Sequence, residues 1–439
     1  MNQQVNSNNR PVLPRRSRRL ATIIPASHWV SMGYTEEDAR LMENLQNDMR
    51  KYCDRVDEAT IELNGRDEGS ALRHHDLMFP HWKKLFKALK GRTNVAFGLV
   101  GISMPVYLLG IVFPALQSLN IVDLSLFGID LGSEGYMMLS SFIKNNSSLT
   151  TFGIGADQLD DLSVATALSD AFNDHPTLEE VFIGDCAFPT SVFEKILEGC
   201  TTKKRLTMTW VSFDADDIIA ISDFIRSNHP LEKLHLRDTN IVDNDAKLLA
   251  LALKTNTHLK ELVLRENNDI AEEGEEALLK AMFDPTNMDS IVESNHICKA
   301  YAKARNENFL SVSGSLFHGP ISNWKEVLYT NGLDISIQKK IRKKVVLALC
   351  GQDGELFDLS NFNDIPLGVM PRVLEELIQE HAITRTKIRF NNNTSDQLKN
   401  DALSRLFHTL RGWELPLLFE NLSPKKGTAG KRKRRKTRR

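Results

Sequence analysis

The sequence predicts an α/β fold in which short parallel strands alternate with helices in a series of like units. Three observations predict it. The pattern Leu-x-x-Leu-x-Leu recurs as Leu231, Leu234, Leu236 and Leu259, Leu262, Leu264, a step of 28 residues. Its alternating apolar positions are those of a strand with one face in a core. A helical stretch follows, as at 245–254, where Ala246, Leu249, Ala250 and Leu253 share one face. A polar turn then closes each unit: NNSS at 145–148, NDHPT at 173–177, SNHP at 227–230 and TNTH at 255–258.

The phase extends in both directions. Ile121, Leu124, Leu126 opens a unit, as do Leu149, Phe152, Ile154 and Leu178, Val181, Ile183. In the next, Lys203 replaces the first leucine ahead of Leu206 and Met208, and Met288 with Ile291 begins a last, broken unit. The starts 121, 149, 178, 203, 231, 259 and 288 differ by 28, 29, 25, 28, 28 and 29. A weaker unit starts at Asn94 with Phe97 and Leu99. Such self-similarity marks units too thin to bury their apolar faces alone. The ninth place holds a residue able to bond backbone groups leaving the strand: Asp157, Cys186, Thr239 and Asn267.

These units resemble leucine-rich repeats of the ribonuclease-inhibitor-like class, the long strand–helix kind also found in the GTPase activator of Ran. The resemblance covers roughly 121–295 and implies a solenoid with a curved parallel β-sheet inside and helices outside. The segment SNHICKAYAKARNENF at 294–309 resembles the closing segment of uncharacterised repeat proteins of unicellular eukaryotes. The scaffold serves many partners, so the resemblance specifies fold more than function.

The chain divides into a disordered basic arm (1–33), a helical N-terminal cap (34–92), the solenoid (93–295), a helical C-terminal cap region (296–422) and a disordered basic tail (423–439). The 439 residues carry a net charge of −2, with 15 cations and no acid in segments 1–20 and 425–439. The remaining 21–424 therefore carries −17. An acidic body with basic ends is the pattern of interaction tails. Five scattered cysteines without ligand spacing point to a reducing compartment and no disulfide framework. The N-terminus has no apolar signal core.

Residues 35–64 read as a helix that Thr35 caps, with Asp38 at the capping-box position. A second helix spans 82–89 and caps the open apolar end of the solenoid. From Thr93 to Asn120 there is no charge, so 95–116 qualifies on length as a membrane span. Gly98, Gly101, Pro105, Gly110, Pro114 and the repeat phase favour a buried first repeat. Residues 335–350 read as a basic amphipathic helix whose apolar side is Ile337, Ile341, Val345 and Leu349. Further helices are expected at 364–381 and 403–410, with an apolar patch at 413–419.

No P-loop, dinucleotide fingerprint or His-Glu-x-x-His string is present. The string GQDG at 351–354 reads as a loop, and the adjacent His74 and His75 as a polar surface feature. Asp160 and Asp161 stand where a helix start needs a cap. We therefore expect no enzyme, cofactor or metal. A surface remains. Between the core leucines, the third place reads Asp123, Thr151, Glu180, Arg205, Lys233, Glu261, and the fifth Ser125, Gly153, Phe182, Thr207, His235, Val263. The seventh reads Phe127, Gly155, Gly184, Thr209, Arg237, Arg265, and the eighth Gly128, Ala156, Asp185, Trp210, Asp238, Glu266. Exposed aromatic and arginine side chains are the types enriched at binding hot spots. The candidate partner-binding residues are accordingly Phe127, Phe182, Trp210, Arg205, His235, Arg237 and Arg265. Gly153, Gly155 and Gly184 would leave a depression between the two phenylalanines; alternatively the aromatics fill gaps between strands.

The leading expectation is a monomeric, non-enzymatic scaffold that docks a protein partner on its concave face, intracellular and nuclear, away from membranes. The resemblance also implies GTPase activation of the Ran-activator kind. Yet no arginine lies between Arg92 and Arg205, and the tail is basic where that activator's is acidic. A third expectation rests on Lys431, Arg432, Lys433, Arg434, Arg435 and Lys436, which suit an import receptor or nucleic-acid phosphates. The lack of interleaved aromatics favours import over base stacking.

Overall fold

The computed structural model describes residues 22–55, 59–66, 71–155, 159–286, 288–302 and 324–350. The chain forms two compact units, Met1–Lys203 and Lys204–Arg439, in which parallel strands alternate with helices. The basic arm at 1–20, the helices expected at 364–381 and 403–410, the patch at 413–419, the GQDG string and the basic tail lie outside the described residues.

The first unit opens with helices Ala26–Ser31 (α1) and Glu36–Asp54 (α2). Thr35 caps the latter by accepting from Asp38 N at 3.0 Å. The helix expected over 35–64 stops at Asp54, and Thr60–Asn64 is a strand (β1). After the short strand Leu72–Arg73 (β2) come Phe79–Leu89 (α3), Val95–Val100 (β3), the short strand Ile102–Ser103 (β4) and Val106–Gln117 (α4). Three strand–helix pairs follow: Ile121–Phe127 (β5) and Gly132–Asn145 (α5), Thr151–Gly155 (β6) and Leu162–Asn173 (α6), Glu180–Gly184 (β7) and Thr190–Gly199 (α7). The main strands run β1-β3-β5-β6-β7, all parallel. Ile61, Phe97, Leu124, Phe152 and Val181 form one row across them, each buried.

The repeat phase thus reaches the strand at Val95, and the uncharged stretch after Thr93 is β3, the short β4 and α4, with α4 burying Leu108, Leu109, Val112, Phe113 and Leu116. Among the described residues no helix is long and apolar enough to cross a membrane. Sheet formation begins still earlier, at Thr60, inside the segment expected to be a wholly helical cap. The edge of β1 is closed by α2. The Tyr52 hydroxyl accepts from Glu62 N at 3.3 Å and donates to Glu62 O at 3.1 Å, so these main-chain groups have partners without another strand.

The second unit holds Arg205–Thr209 (β8), Ala215–Arg226 (α8), Lys233–Arg237 (β9), Asp243–Thr255 (α9), Glu261–Val263 (β10) and Glu272–Met282 (α10). It ends with Met288–Glu293 (α11), Lys299–Tyr301 (β11), Trp324–Gly332 (α12) and Ile337–Cys350 (α13). The order β8-β9-β10-β11 is parallel and in register, with Leu206, Leu234, Leu262 and Ala300 in one buried row. The last unit expected from Met288 is a helix, because the spacing of Met288 and Ile291 also fits one helical turn. The strand comes later, built on Ala300, and so lies in the region expected to be a helical C-terminal cap.

Polar side chains inside each unit hold the backbone where it turns. Asn267 is buried. Its Oδ1 accepts from Thr239 N, Thr239 Oγ1 and Ile241 N, and its Nδ2 donates to Leu236 O and Leu264 O. The closing turns use one side chain three residues ahead of the strand's first core position. Asn146, Asn256 and Asn295 each accept, through Oδ1, the N–H groups two and three residues on, at 2.7–3.0 Å. In the turn after α6 the ring of His175 does the same through Nδ1, taking Thr177 N and Leu178 N. Burial holds that imidazole below the usual histidine range, in the neutral form this acceptor role needs. Lys203, where a leucine was due, buries its stem and donates Nζ to Leu178 O at 3.1 Å.

The basic helix α13 departs from its expected faces at three described positions. Ile337 is exposed, whereas Lys340 and Lys344 are buried. Lys340 Nζ donates to Asn331 O at 2.7 Å. Lys344 Nζ meets Met282 O, Asn295 O at 2.9 Å and His296 Nδ1 at 3.0 Å. His296 Nε2 lies 3.1 Å from Val292 O, so its Nε2–H tautomer leaves Nδ1 as acceptor. Burial, with Lys340 adding repulsion, lowers Lys344 to about 6. Burial first and Lys344 second lower His296 to about 4.

Two predictions follow from these buried polar groups. Asn267→Ala orphans two N–H donors, a hydroxyl and two carbonyls, and should lower stability by about 3 kcal/mol in chemical denaturation. Lys344 binds fewer protons folded than unfolded between its lowered value near 6 and the ordinary lysine range, so stability rises with pH across that interval. Between pH 6 and 9 the melting temperature of Lys344→Met should accordingly climb less than that of the parent.

Candidate functional site

The residues between the core leucines lie on the sheet face that does not carry the buried rows. In the first unit two rings pack on that face. Phe127 and Phe182 are half-buried and meet edge to face, with centroids 5.5 Å apart and planes at 77°. The Phe127 ring lies over Gly153 and Gly155. A Cβ on Gly153 would sit 3.3 Å from Phe127 Cζ, and one on Gly155 2.6 Å from Cδ1. The depression expected between the phenylalanines is therefore filled by the ring itself, and these two aromatics close gaps between strands. Asp123, beside Ser125, has its carboxyl pushed up, chiefly by burial and further by Glu180.

The second unit presents a different face. Arg205, His235, Arg237 and Arg265 are half-buried, and Trp210 stands out at 62 % exposure. Lys233 pairs with Glu261 at 3.3 Å and Arg237 with Glu266 at 2.8 Å. The Arg265 guanidinium lies 5.6 Å from the centre of the Tyr301 ring. Sequence reasoning missed Tyr301. It pairs with Val263 in register and so continues the fifth-place column on β11, but Cys298 and Ala300 give that strand no leucine signature.

The eighth place has a backbone property of its own. Gly128, Asp185, Trp210, Asp238 and Glu266 have φ of 62°, 50°, 56°, 52° and 67°. Each is left-handed, the region that suits glycine and that aspartate tolerates. At Gly128, Trp210 and Asp238, and at Gly101 (φ 62°) in the pass before, the N–H of this left-handed residue bonds the next strand. Within the first unit Gly101 N donates to Phe127 O and Gly128 N to Gly155 O; within the second, Trp210 N donates to Arg237 O and Asp238 N to Arg265 O. A bulky aromatic at this place is strained by about 1–2 kcal/mol. Trp210 combines that strain with a largely exposed indole.

Two further sequence features resolve as structural. His74 is buried, accepts from Trp82 Nε1 at 3.2 Å and is held down to about 4 by burial, while His75 accepts from Leu77 N at 3.1 Å. They are not the polar surface pair that was expected. Asp161 caps α6 by accepting from Ser163 N at 2.8 Å. Asp157 and Ala156 lie outside the described residues, as do Lys431, Arg432, Lys433, Arg434, Arg435 and Lys436. Among the described residues no three His, Cys, Asp or Glu side chains are grouped to hold a metal ion, and Cys53, Cys186, Cys200 and Cys298 are buried.

The chain matches no protein-family model and no curated protein.

The strain at Trp210 yields a stability test. Trp210→Ala keeps the left-handed penalty, whereas Trp210→Gly removes it. The glycine variant should exceed the alanine variant by about 1 kcal/mol in urea denaturation. Equal midpoints would mean that the backbone there is unstrained.

Proposed function

We propose that this protein is a non-enzymatic interaction scaffold of the leucine-rich-repeat kind, which docks a protein partner on the sheet face of its second unit. The observation that carries this reading is Trp210. A large apolar side chain is mostly exposed to solvent from a backbone conformation that glycine would occupy at lower energy. Strain of this sort is kept where a surface has a task. The flanking arginines, one already stacked on Tyr301, belong to the residue types that dominate binding energy. The strand–helix periodicity and the in-register leucine rows support the repeat class. The basic string at 431–436 supports a nuclear address read by an import receptor.

The reading is tested by capturing partners from native extract with the full chain and mapping the bound surface by hydrogen exchange. Protection should fall on 205–210, 233–238 and 261–266, and Trp210→Gly should weaken capture by about tenfold while its circular dichroism stays native. Protection confined to the helices α8, α9 and α10 would place the docking face elsewhere.

A further inference from the structure

We infer that copies of this chain associate head to tail, the helices of the first unit of one copy packing on the helices of the second unit of the next. The sequence alone suggested a monomer. The inference is independent of the docking face proposed above, which lies on the strands. In the first unit α4 carries no charge, and its solvent side holds Tyr107, Gly110, Ile111 and Pro114, with Tyr107 53 % exposed. The patch continues onto α5, where Met137 is exposed and a Cβ on Gly110 would sit 3.6 Å from Met138 Cε. In the second unit α8 presents Ile219, and α9 presents Leu248 and Leu251, the last at 57 % exposure. Single exposed apolar residues are ordinary, but groups of them on adjoining helices mark surfaces that gain by being covered.

The two patches are set in opposite charge. Helices α3, α4 and α5 hold Lys83, Lys84, Lys87 and Lys144 against one acid, Glu134, a net +3. Helices α8, α9 and α10 hold nine acids against Arg226, Lys247, Lys254 and Lys280, a net −5. Lys83, Lys87 and Lys90 are exposed, and no carboxylate among the described residues pairs with them. Asp216 and Glu272 likewise stand exposed without a cation. A two-fold contact through either patch would set like charges against each other. First-unit patch on second-unit patch sets lysines against carboxylates around an apolar centre. An anionic lipid surface would suit the first patch and be repelled by the second, whereas a second copy of the chain uses both. The contact is heterologous, so it propagates from copy to copy.

Sedimentation velocity of the full-length chain over a concentration series tests it. The average mass should rise with concentration in the micromolar range, and more steeply at low salt. Ile111→Glu and Leu251→Glu should each weaken self-association by about tenfold while circular dichroism stays native. Mixed in equal amounts, these two variants should form a dimer that grows no further, because each keeps the patch that the other has lost. Lys83→Glu combined with Lys87→Glu leaves the apolar residues in place and should also weaken association. Trp210→Gly should leave it unchanged. A chain that stays monomeric throughout the series overturns the inference. So does a mixture no heavier than its components, which would mean that like patches meet, and so does loss of association in Trp210→Gly, which would put the contact on the strands.

Discussion

Where a described strand gives way to a turn inside the protein, the buried N–H and C=O groups of the backbone need partners other than water. The fold meets the constraint with buried polar side chains at two places in the unit, just past the strand and in the closing turn. Asn267 bonds five groups on two consecutive passes at once. Asn146, His175, Asn256 and Asn295 hold the closing turns. A buried group without such a partner would cost about 1–3 kcal/mol, enough to matter against a domain's small net stability. The leucine rows supply the driving force, but they pack in register only because these side chains set where each strand starts and stops.

That bookkeeping tolerates substitution where the chemistry is equivalent. His175 does an asparagine's work because its ring nitrogen is an acceptor when neutral, and burial keeps it neutral. Lys203 serves in a leucine's place because its stem is apolar and its ammonium finds Leu178 O. Trp210 differs in kind. It sits at a place shaped for glycine or aspartate, adds nothing to the buried rows and keeps its indole in water. A residue that opposes the scaffold's own preference, on the face the scaffold leaves uncovered, reads as selected for something outside the fold.

The leucine signature made the strands from Ile121 to Val263 legible, and the weaker Phe97 and Leu99 made β3 legible. Two strands escaped. In β1, Ile61 and Leu63 alternate correctly, but Glu58 stands where a first leucine was due, and the segment carrying β2 interrupts the spacing. At β11 the core positions are Cys298, just ahead of the strand, and Ala300 within it, too small to register as a pattern, while Met288 and Ile291 imitated one from a helix. The buried lysines of α13 could not be foreseen, because hydrophobicity assigns such residues to solvent. At the candidate site the residue types were legible, and their environment was not. Phe127 and Phe182 looked like Trp210 in the sequence, and only packing separates gap-filling rings from a presented one. Gly128, Asp185 and Asp238 did hold a clue to the left-handed place, against which Trp210 and Glu266 would have stood out.

The Tyr52 hydroxyl against Glu62 bears on how such a molecule lengthens. A parallel sheet invites recruitment at an open border, whether by a neighbour's backbone or by a newly duplicated module. Here one phenol occupies both main-chain valences of the Glu62 position from the α2 side. Gene duplication that inserted a copy ahead of Thr60 would have to displace α2 before the copy had anything to hold. Expansion is easier among the interior modules, where each copy inherits a ready-made neighbour on either flank.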